Sequence, residues 1–210
     1  MFAIDLHTHS QASPDGALTL ADYERSPLNF VAITDHDRID FALGAKAKLG
    51  AKIIVGEEIT TAEGELIGLF LTHAVPPGLS AAQTITAIKK QGGLVYVPHP
   101  FETVRKGIQL PTLDAIAKDV DIIETHNGRA VFQNYGCHAR AWVKQHKVAA
   151  ASSSDAHGPY GWNRTYSFIT ETPTATNLPD LLLKTKKRLN GTVGLGILYP
   201  KINRLRRHHA

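Results

Sequence analysis

Five short stretches of this sequence collect histidines and carboxylates at spacings that suit a bound cation. In Asp5-Leu6-His7-Thr8-His9-Ser10 two histidines stand two residues apart; where the second lies just past a strand end, both imidazoles can chelate one ion. Thr34-Asp35-His36-Asp37 is costly to desolvate unless something positive sits there, and either Asp35 or Asp37 could hold the imidazole tautomer while His36 ligates. Gly56-Glu57-Glu58 sets two glutamates side by side, and strand alternation sends them to opposite faces. A carboxylate on the inner face can bridge two cations, which an imidazole cannot. Pro98-His99-Pro100 stiffens the backbone around a histidine, as a preorganised ligand requires. Ser152-Ser153-Ser154-Asp155-Ala156-His157 repeats the first spacing with a carboxylate and an imidazole. Taken singly, each stretch also fits a solvated turn or a polar strand end. Together they make an ordered series of oxygen and nitrogen donors without a thiolate, the set that suits Zn, Mn or Fe.

Residues so far apart in sequence act together only if the fold carries them to one place. Short apolar, β-branched runs predict strands at Ala3–Leu6, Val31–Thr34, Lys52–Val55, Leu66–Leu71, Leu94–Val97, Asp121–Thr125, Val148–Ala151 and Tyr166–Thr170. Most are separated by amphipathic stretches. Ser80-Ala81-Ala82-Gln83 opens one with a capping-box pattern and Gly92-Gly93 closes it. Thr19 to Asp22 and Asn177 to Asp180 read as two more helix starts, and Phe132–Lys147 as the longest helix. Strand and helix alternating, with strands apolar on both faces, predict a parallel sheet. The polar residues His7, His9, Asp35, His36, Glu58, His99, Glu124, Asp155 and His157 all fall at or just after strands. A small α/β barrel gathers such positions on one rim, whereas an open sheet spreads them along an edge.

Composition narrows the classes. The chain's 210 residues, 43% of them hydrophobic, suit one domain, read as residues 1–200 followed by a basic tail at 201–210. No apolar run approaches the ~20 residues of a bilayer span. From the opening Met1-Phe2-Ala3-Ile4-Asp5 no signal peptide is expected. The single Cys137 excludes an intramolecular disulfide and a cysteine-type zinc site, so a soluble cytoplasmic protein is expected. The net charge of +4 hides a division. Residues 1–180 hold 15 bases and 19 acids, whereas Lys184, Lys186, Lys187, Arg188, Lys201, Arg204, Arg206 and Arg207 follow with no acid among them. An acidic body with nine of the chain's 11 histidines invites a cation before it invites nucleic acid, while the basic segment keeps nucleic acid open as a partner.

The motifs DLHTHS, TDHD, GEEI, HPF, ETHNGR and SSDAH, in this order over residues 5–157, resemble the PHP (polymerase and histidinol phosphatase) family. The resemblance implies a metal-dependent phosphoesterase on a distorted (β/α)7 TIM-like barrel, with two or three divalent ions at the C-terminal rim. Carried over residue by residue, it implies a first metal at His7, His9, Glu58 and Asp155, with Glu58 as the bridging carboxylate. It implies a second metal at His99 and a third at Asp15, His36 and His157. Where many relatives have a histidine before the fourth strand's Gly-Leu, this chain has Glu65; either Glu65 or His73 supplies the ligand, or the second site is weak. Asp15 also sits behind one extra residue.

Clustered divalent ions suit phosphoester hydrolysis by activated water, with a nucleotide or phosphorylated metabolite as the small substrate. His36 or His157 could protonate the leaving oxygen. Arg129, Arg164 and Asn127 are candidates for phosphate contact, and Trp162 either stacks on a base or covers the rim. Ser152 to Ser154 lack a nucleophile elbow, and Cys137 is expected to pack inside a helix. Rival readings are histidinol-phosphate hydrolysis, a nuclease acting on oligonucleotide ends and guided by the basic tail, and a catalytically weak metal-binding regulatory module.

Overall fold

The computed structural model describes residues 1–130, 133–183, 187–189 and 195–208. Among these residues lie nine strands: β1 (Phe2–Asp5), β2 (Phe30–Ile33), β3 (Ile53–Thr61), β4 (Gly64–Leu69), β5 (Leu94–Val97), β6 (Ile122–Asn127), β7 (Ala149–Ser153), β8 (Thr165–Ile169) and β9 (Lys187–Leu189). They lie side by side in the order β7-β6-β5-β4-β3-β2-β1-β8-β9. The described residues also form seven α-helices: α1 (Leu20–Arg25), α2 (Asp40–Leu49), α3 (Ala81–Lys90), α4 (Leu110–Ala115), α5 (Gly136–His146), α6 (Leu178–Leu183) and α7 (Leu195–His208).

Side-chain alternation builds two cores from the same strands. Val31, Ile33, Ile53, Val55, Val95, Val97 and Ile123 pack outward against Ala42 and Ala45 of α2, Ile85 and Ile88 of α3 and Trp142 of α5. Their neighbours Ala32, Ile54, Tyr96 and Ile122 join Ile4, Leu6, Ile67 and Ala151 in the inner cluster, which Leu178 and Leu182 of α6 complete. The strands were legible as apolar runs because both faces are buried. Thr19 and Ser80 cap α1 and α3 with reciprocal capping boxes to Asp22 and Gln83, as their spacing predicts.

The expectation of a parallel sheet is corrected. β1-β2-β3 and β5-β6-β7 are parallel, but β4 is antiparallel to both its neighbours, and β8 is antiparallel to β1 and β9. β3 runs on to Thr61 and turns straight back through Ala62 and Glu63 into β4, leaving no room for a crossover helix. The barrel nearly closes between β7 and β1. At the rim their extensions pair directly, through Asp155 N to His7 O and His9 N to Ala156 O, both 2.9 Å. Farther down, β8 is wedged between them, with Ser167 Oγ accepting from Ser152 N at 3.0 Å. The result is the TIM-like barrel that the motifs implied, in a single domain.

Two helix expectations are also corrected. α5 starts at Gly136, because Asn134 Oδ1 holds the Gly136 N–H in a local turn; Phe132 lies outside the described residues. The longer helix is α7, with 14 residues against 11. Residues 201–208, expected as a tail, continue α7, and Asn203 within it is buried. Lys184, Lys186, His209 and Ala210 lie outside the described residues. Among the described residues no helix is long and apolar enough to cross a membrane.

On β3, Glu58 turns inward, while Glu57 accepts the Val75 N–H at 2.8 Å on the other side. Burial, only partly opposed by that N–H, raises the Glu57 carboxyl to about 7 from its ordinary 4.5. A carboxyl that binds its proton more tightly when folded stabilises the fold fully below its unfolded pKa and loses that contribution as pH rises through the folded one. Urea unfolding of the metal-free protein should therefore show a midpoint that falls between pH 5 and 8, and a smaller fall in Glu57→Gln. Equal slopes in the two proteins would contradict this account.

Candidate metal centre

The strand ends deliver their polar residues to one rim. His7 and His9 follow β1, His36 follows β2, Glu58 and Glu65 face inward from β3 and β4, His99 follows β5, Glu124 lies on β6, and Asp155 and His157 follow β7. Asp15 arrives on the loop before α1. That loop folds back tightly on His9 and Ser10: a Cβ on Gly16 would lie 2.1 Å from Ser10 O. His99 and Asp155 adopt left-handed backbone, at φ of 27° and 51°. Such conformations are unfavourable for residues with a Cβ, and they cluster at functional sites. Here neighbours impose them: His99 N donates to Glu124 Oε2 at 2.7 Å, and Asp155 N to His7 O at 2.9 Å.

Glu58 is the hub. Its Oε2 lies 3.3 Å from His7 Nε2, 3.2 Å from His9 Nε2 and 3.3 Å from His36 Nδ1, and its Oε1 lies 3.0 Å from His99 Nε2. Asp155 Oδ1 is 3.6 Å from His7 Nε2 and 3.4 Å from His9 Nε2. Three overlapping donor sets result, each with its ligand atoms within 4.8 Å of one another: His7, His9 and Glu58; Glu58, Glu65 and His99; and His9, Asp15, His36 and His157. A fourth grouping, His7, His99 and Asp155, spans the first two. Of Glu65 and His73, Glu65 is the one that stands in a donor set. Glu65 Oε2 stands 3.8 Å from His99 Nε2, whereas His73 is exposed beside Thr72 and is in none of these sets.

The donor chemistry fits a cation. The Nε2 atoms of His7 and His9 are 3.1 Å apart, a contact between two nitrogens that requires a shared proton or metal. The Nδ1 atoms of His9 and His99 are buried without a hydrogen-bond partner. Burial strongly disfavours charge here, yet opposite charges prevail. Burial would raise Glu58 and Asp155, but His7 and His36 around the first, and Arg129 and His7 around the second, hold both well below the usual carboxylate range. Burial would lower His36, but Glu58 and Asp15 raise it to about 10. Burial and then the charge of Glu58 push Glu65 up to about 8. Burial, with His9 and Arg129 nearby, lowers His157 to about 3.

A surrounding layer fixes these groups. Glu124 receives the Tyr96 hydroxyl at 2.8 Å and faces His7 Nδ1 at 3.3 Å, which sets the His7 ring. Asn127, a candidate either for fixing its turn or for touching substrate, is bonded within the site. Its Nδ2 donates to Glu124 Oε2 and Asp155 Oδ2, and its Oδ1 accepts from Arg105 Nη1 and the Arg129 N–H, so its amide is committed to the carboxylates. Asp35 and Asp37 do not orient His36. Asp35 accepts from the N–H and hydroxyl of Ser10, and Asp37 from those of Thr60, each tying one rim loop to another.

Arg129 reaches both Asp155 oxygens at 3.2 Å and lines a cavity of about 400 Å³ above the centre. Arg164 does not line that cavity. Trp162 is buried edge-on against Tyr23, with ring centroids 5.3 Å apart, and so serves the core. Cys137, expected to pack, is exposed. The sequence reading assigned no role to Arg105, which is held by Glu102 and donates to Asp155 Oδ2 at 2.5 Å. The Glu102-Thr103-Val104-Arg105 spacing after the His99 motif was the available signal. It also missed Arg204, which donates to Asp15 Oδ2 at 2.6 Å from α7.

No family model matches the chain. A sequence relative, the uncharacterized protein MJ1587 of Methanocaldococcus jannaschii, is 34% identical over 147 residues, covering 62% of this chain and 86% of that protein. A solved two-domain protein of Bacteroides vulgatus, described as containing a predicted PHP-like metal-dependent phosphoesterase, superposes with a TM-score of 0.73 at 23% identity, over 97% of this chain and 69% of that one. A protein of Bifidobacterium adolescentis, provisionally described as a metal-dependent phosphoesterase, gives a TM-score of 0.59 at 18% identity, over 74% of this chain and 87% of that one. The chain therefore belongs to one family with the archaeal protein, and its fold is that of the PHP-like proteins, as its ordered motifs implied.

Proposed function

We propose that this protein is a metal-dependent hydrolase that cleaves phosphoester bonds of a small phosphorylated substrate, such as a nucleotide or phosphorylated metabolite. The observation that carries the reading is the meeting of three donor sets, two of them sharing Glu58 and two sharing His9, beneath an open cavity. His7, His9, Glu58 and Asp155 would hold a first divalent cation, Glu58, Glu65 and His99 a second, and Asp15, His36 and His157, with His9, a third. Bound there, divalent ions of the Mn, Zn or Fe type supply a water of lowered pKa and neutralise phosphoryl charge. The chain's own residues do the rest. Glu124, Asn127 and Arg105 hold His7 and Asp155 in place. Arg129, on the cavity wall, is placed to meet a phosphoryl oxygen beside Asp155. His36 and His157 both line the cavity, and whichever of the two is not committed to an ion would be the donor to the leaving oxygen.

A nuclease acting on oligonucleotide ends is the second reading, favoured by the exposed Lys201 and Arg206 on α7. Oligonucleotide binding that weakens steeply with salt, and loses that dependence in Lys201→Ala/Arg206→Ala, would support it.

Protein purified without added ions should contain at least one transition metal by mass spectrometry, and His7→Ala/His9→Ala should lose it. Wild-type protein that stays empty in excess Mn²⁺ or Zn²⁺ would remove the basis of the reading. A Mn²⁺ screen of phosphomonoesters, diesters and short oligonucleotides should show which bond is cut. Glu65→Ala should lower the number of Mn²⁺ ions bound, while His73→Ala should bind as wild type does; the opposite pattern would return the second set to His73.

A further inference from the structure

The charge division at Asp180 has a structural counterpart at the cavity. α7 docks on the rim at three successive positions. Tyr199 packs over Gly158, where a Cβ would meet its ring at 2.8 Å. Pro200 lines the cavity. Asn203, buried, donates from Nδ2 to Asp15 O at 2.8 Å and His157 O at 3.1 Å, and so spans the two loops that carry the third donor set. With the helix fixed in register, Arg204 alone of the exposed bases Lys201, Arg204 and Arg206 lines the cavity.

The other guanidiniums on that wall are less accessible. Arg105 is buried among Glu102, Asn127 and Asp155, and Arg129, its Nη1 engaged with Asp155 and His157, is 13% exposed. Arg204 is more open. One nitrogen is anchored on Asp15 Oδ2 at 2.6 Å, while 60% of the side chain stays exposed. A guanidinium presents five N–H donors in a rigid fork that matches phosphate. Asp15 therefore orients the fork and leaves most of it open to the cavity.

We propose that Arg204 is a substrate-binding residue, supplied by the C-terminal helix, that recognises the phosphoryl oxygens of the substrate beside the third donor set. The inference rests on the phosphoesterase reading and goes beyond it in assigning an anion subsite to α7. Arg204 is not merely a counter-charge for Asp15, and α7 is not a diffuse basic tail.

The test is calorimetric titration of the full-length, Mn²⁺-loaded protein with inorganic phosphate, alongside steady-state kinetics on a phosphoester that the wild type cleaves. Arg204→Ala should weaken phosphate about tenfold, the scale of one charge-assisted hydrogen bond, and should raise KM by more than it lowers kcat. Arg204→Lys should fall between the two, and added methylguanidinium should restore phosphate binding to Arg204→Ala. Arg25→Ala, which removes an equal charge from an exposed position outside the cavity, should match wild type. Unchanged phosphate affinity in Arg204→Ala, or equal weakening in Arg25→Ala, overturns the proposal while leaving the phosphoesterase reading intact. Tighter Mn²⁺ binding in Arg204→Ala with unaltered phosphate affinity overturns it in favour of a counter-charge. A loaded wild type that neither binds phosphate nor cleaves any phosphoester refutes the underlying reading as well.

Discussion

One carboxylate, Glu58, contacts the imidazoles of His7, His9, His36 and His99 at 3.0 to 3.3 Å, and the barrel is arranged around that meeting. Four imidazoles from three strand ends approach a single acid only if β1, β2, β3 and β5 converge at their ends. Burying such a group of charges is unfavourable unless each finds an opposite partner, because desolvation of an ion costs several kcal/mol. Asp155, shared by Arg105, Arg129, His7, His9 and His157, is the second such partner. With either acid removed, the surrounding cations would be left buried and unpaired. The layer of Glu124, Asn127 and Tyr96 beneath has the complementary task of fixing ring orientation, so that the nitrogens point into the centre rather than toward bulk water.

The same constraint accounts for the irregular closure of the barrel. Direct pairing of β7 and β1 at the rim holds Asp155 against His7 through backbone, independently of either side chain. β8, entering antiparallel below, widens the barrel where no chemistry is required and brings Ser167 to satisfy Ser152. Left-handed backbone recurs at Asp37, His99 and Asp155 on that rim, as well as elsewhere in the chain. At the rim it falls where local geometry must be specified most tightly, a pattern common to functional sites.

Strand positions and the principal donors were legible because they depend on short patterns: apolar runs buried on both faces, and His, Asp or Glu immediately after them. Alternation required that only one of Glu57 and Glu58 face inward, and the family resemblance implied Glu58. What could not be read depended on partners far away in sequence. Asp35 adjoins His36 in the chain but bonds Ser10, 25 residues away. Asn127 carried the composition of a substrate contact, and only the folded arrangement shows its four hydrogen bonds turned toward carboxylates and arginines. Direction was similarly hidden. β3 and β4 join through the short turn at Ala62 and Glu63, and an apolar run does not disclose which way its strand will point. The course of α7 follows from contacts at Gly158, Asp15 and His157, none of which its own sequence discloses.

Net charge gives a poor account of this electrostatic design, because what matters is where each base is fixed. A body of net −4 places its acids around imidazoles, where protons or divalent ions can neutralise them. The basic C-terminal stretch answers with one arginine set directly on Asp15, the acid shared by His36 and His157. An arginine keeps its charge across the whole accessible pH range, whereas an imidazole loses its charge to a metal or to base. The rim therefore has two kinds of positive charge. One varies with the occupancy and protonation of the histidines. The other is permanent and held in place by a helix. A cavity with a fixed cation on its wall retains an attraction for anions even when the imidazoles beneath it are neutral, so α7 is an integral part of the rim's electrostatics rather than an appendage to the domain.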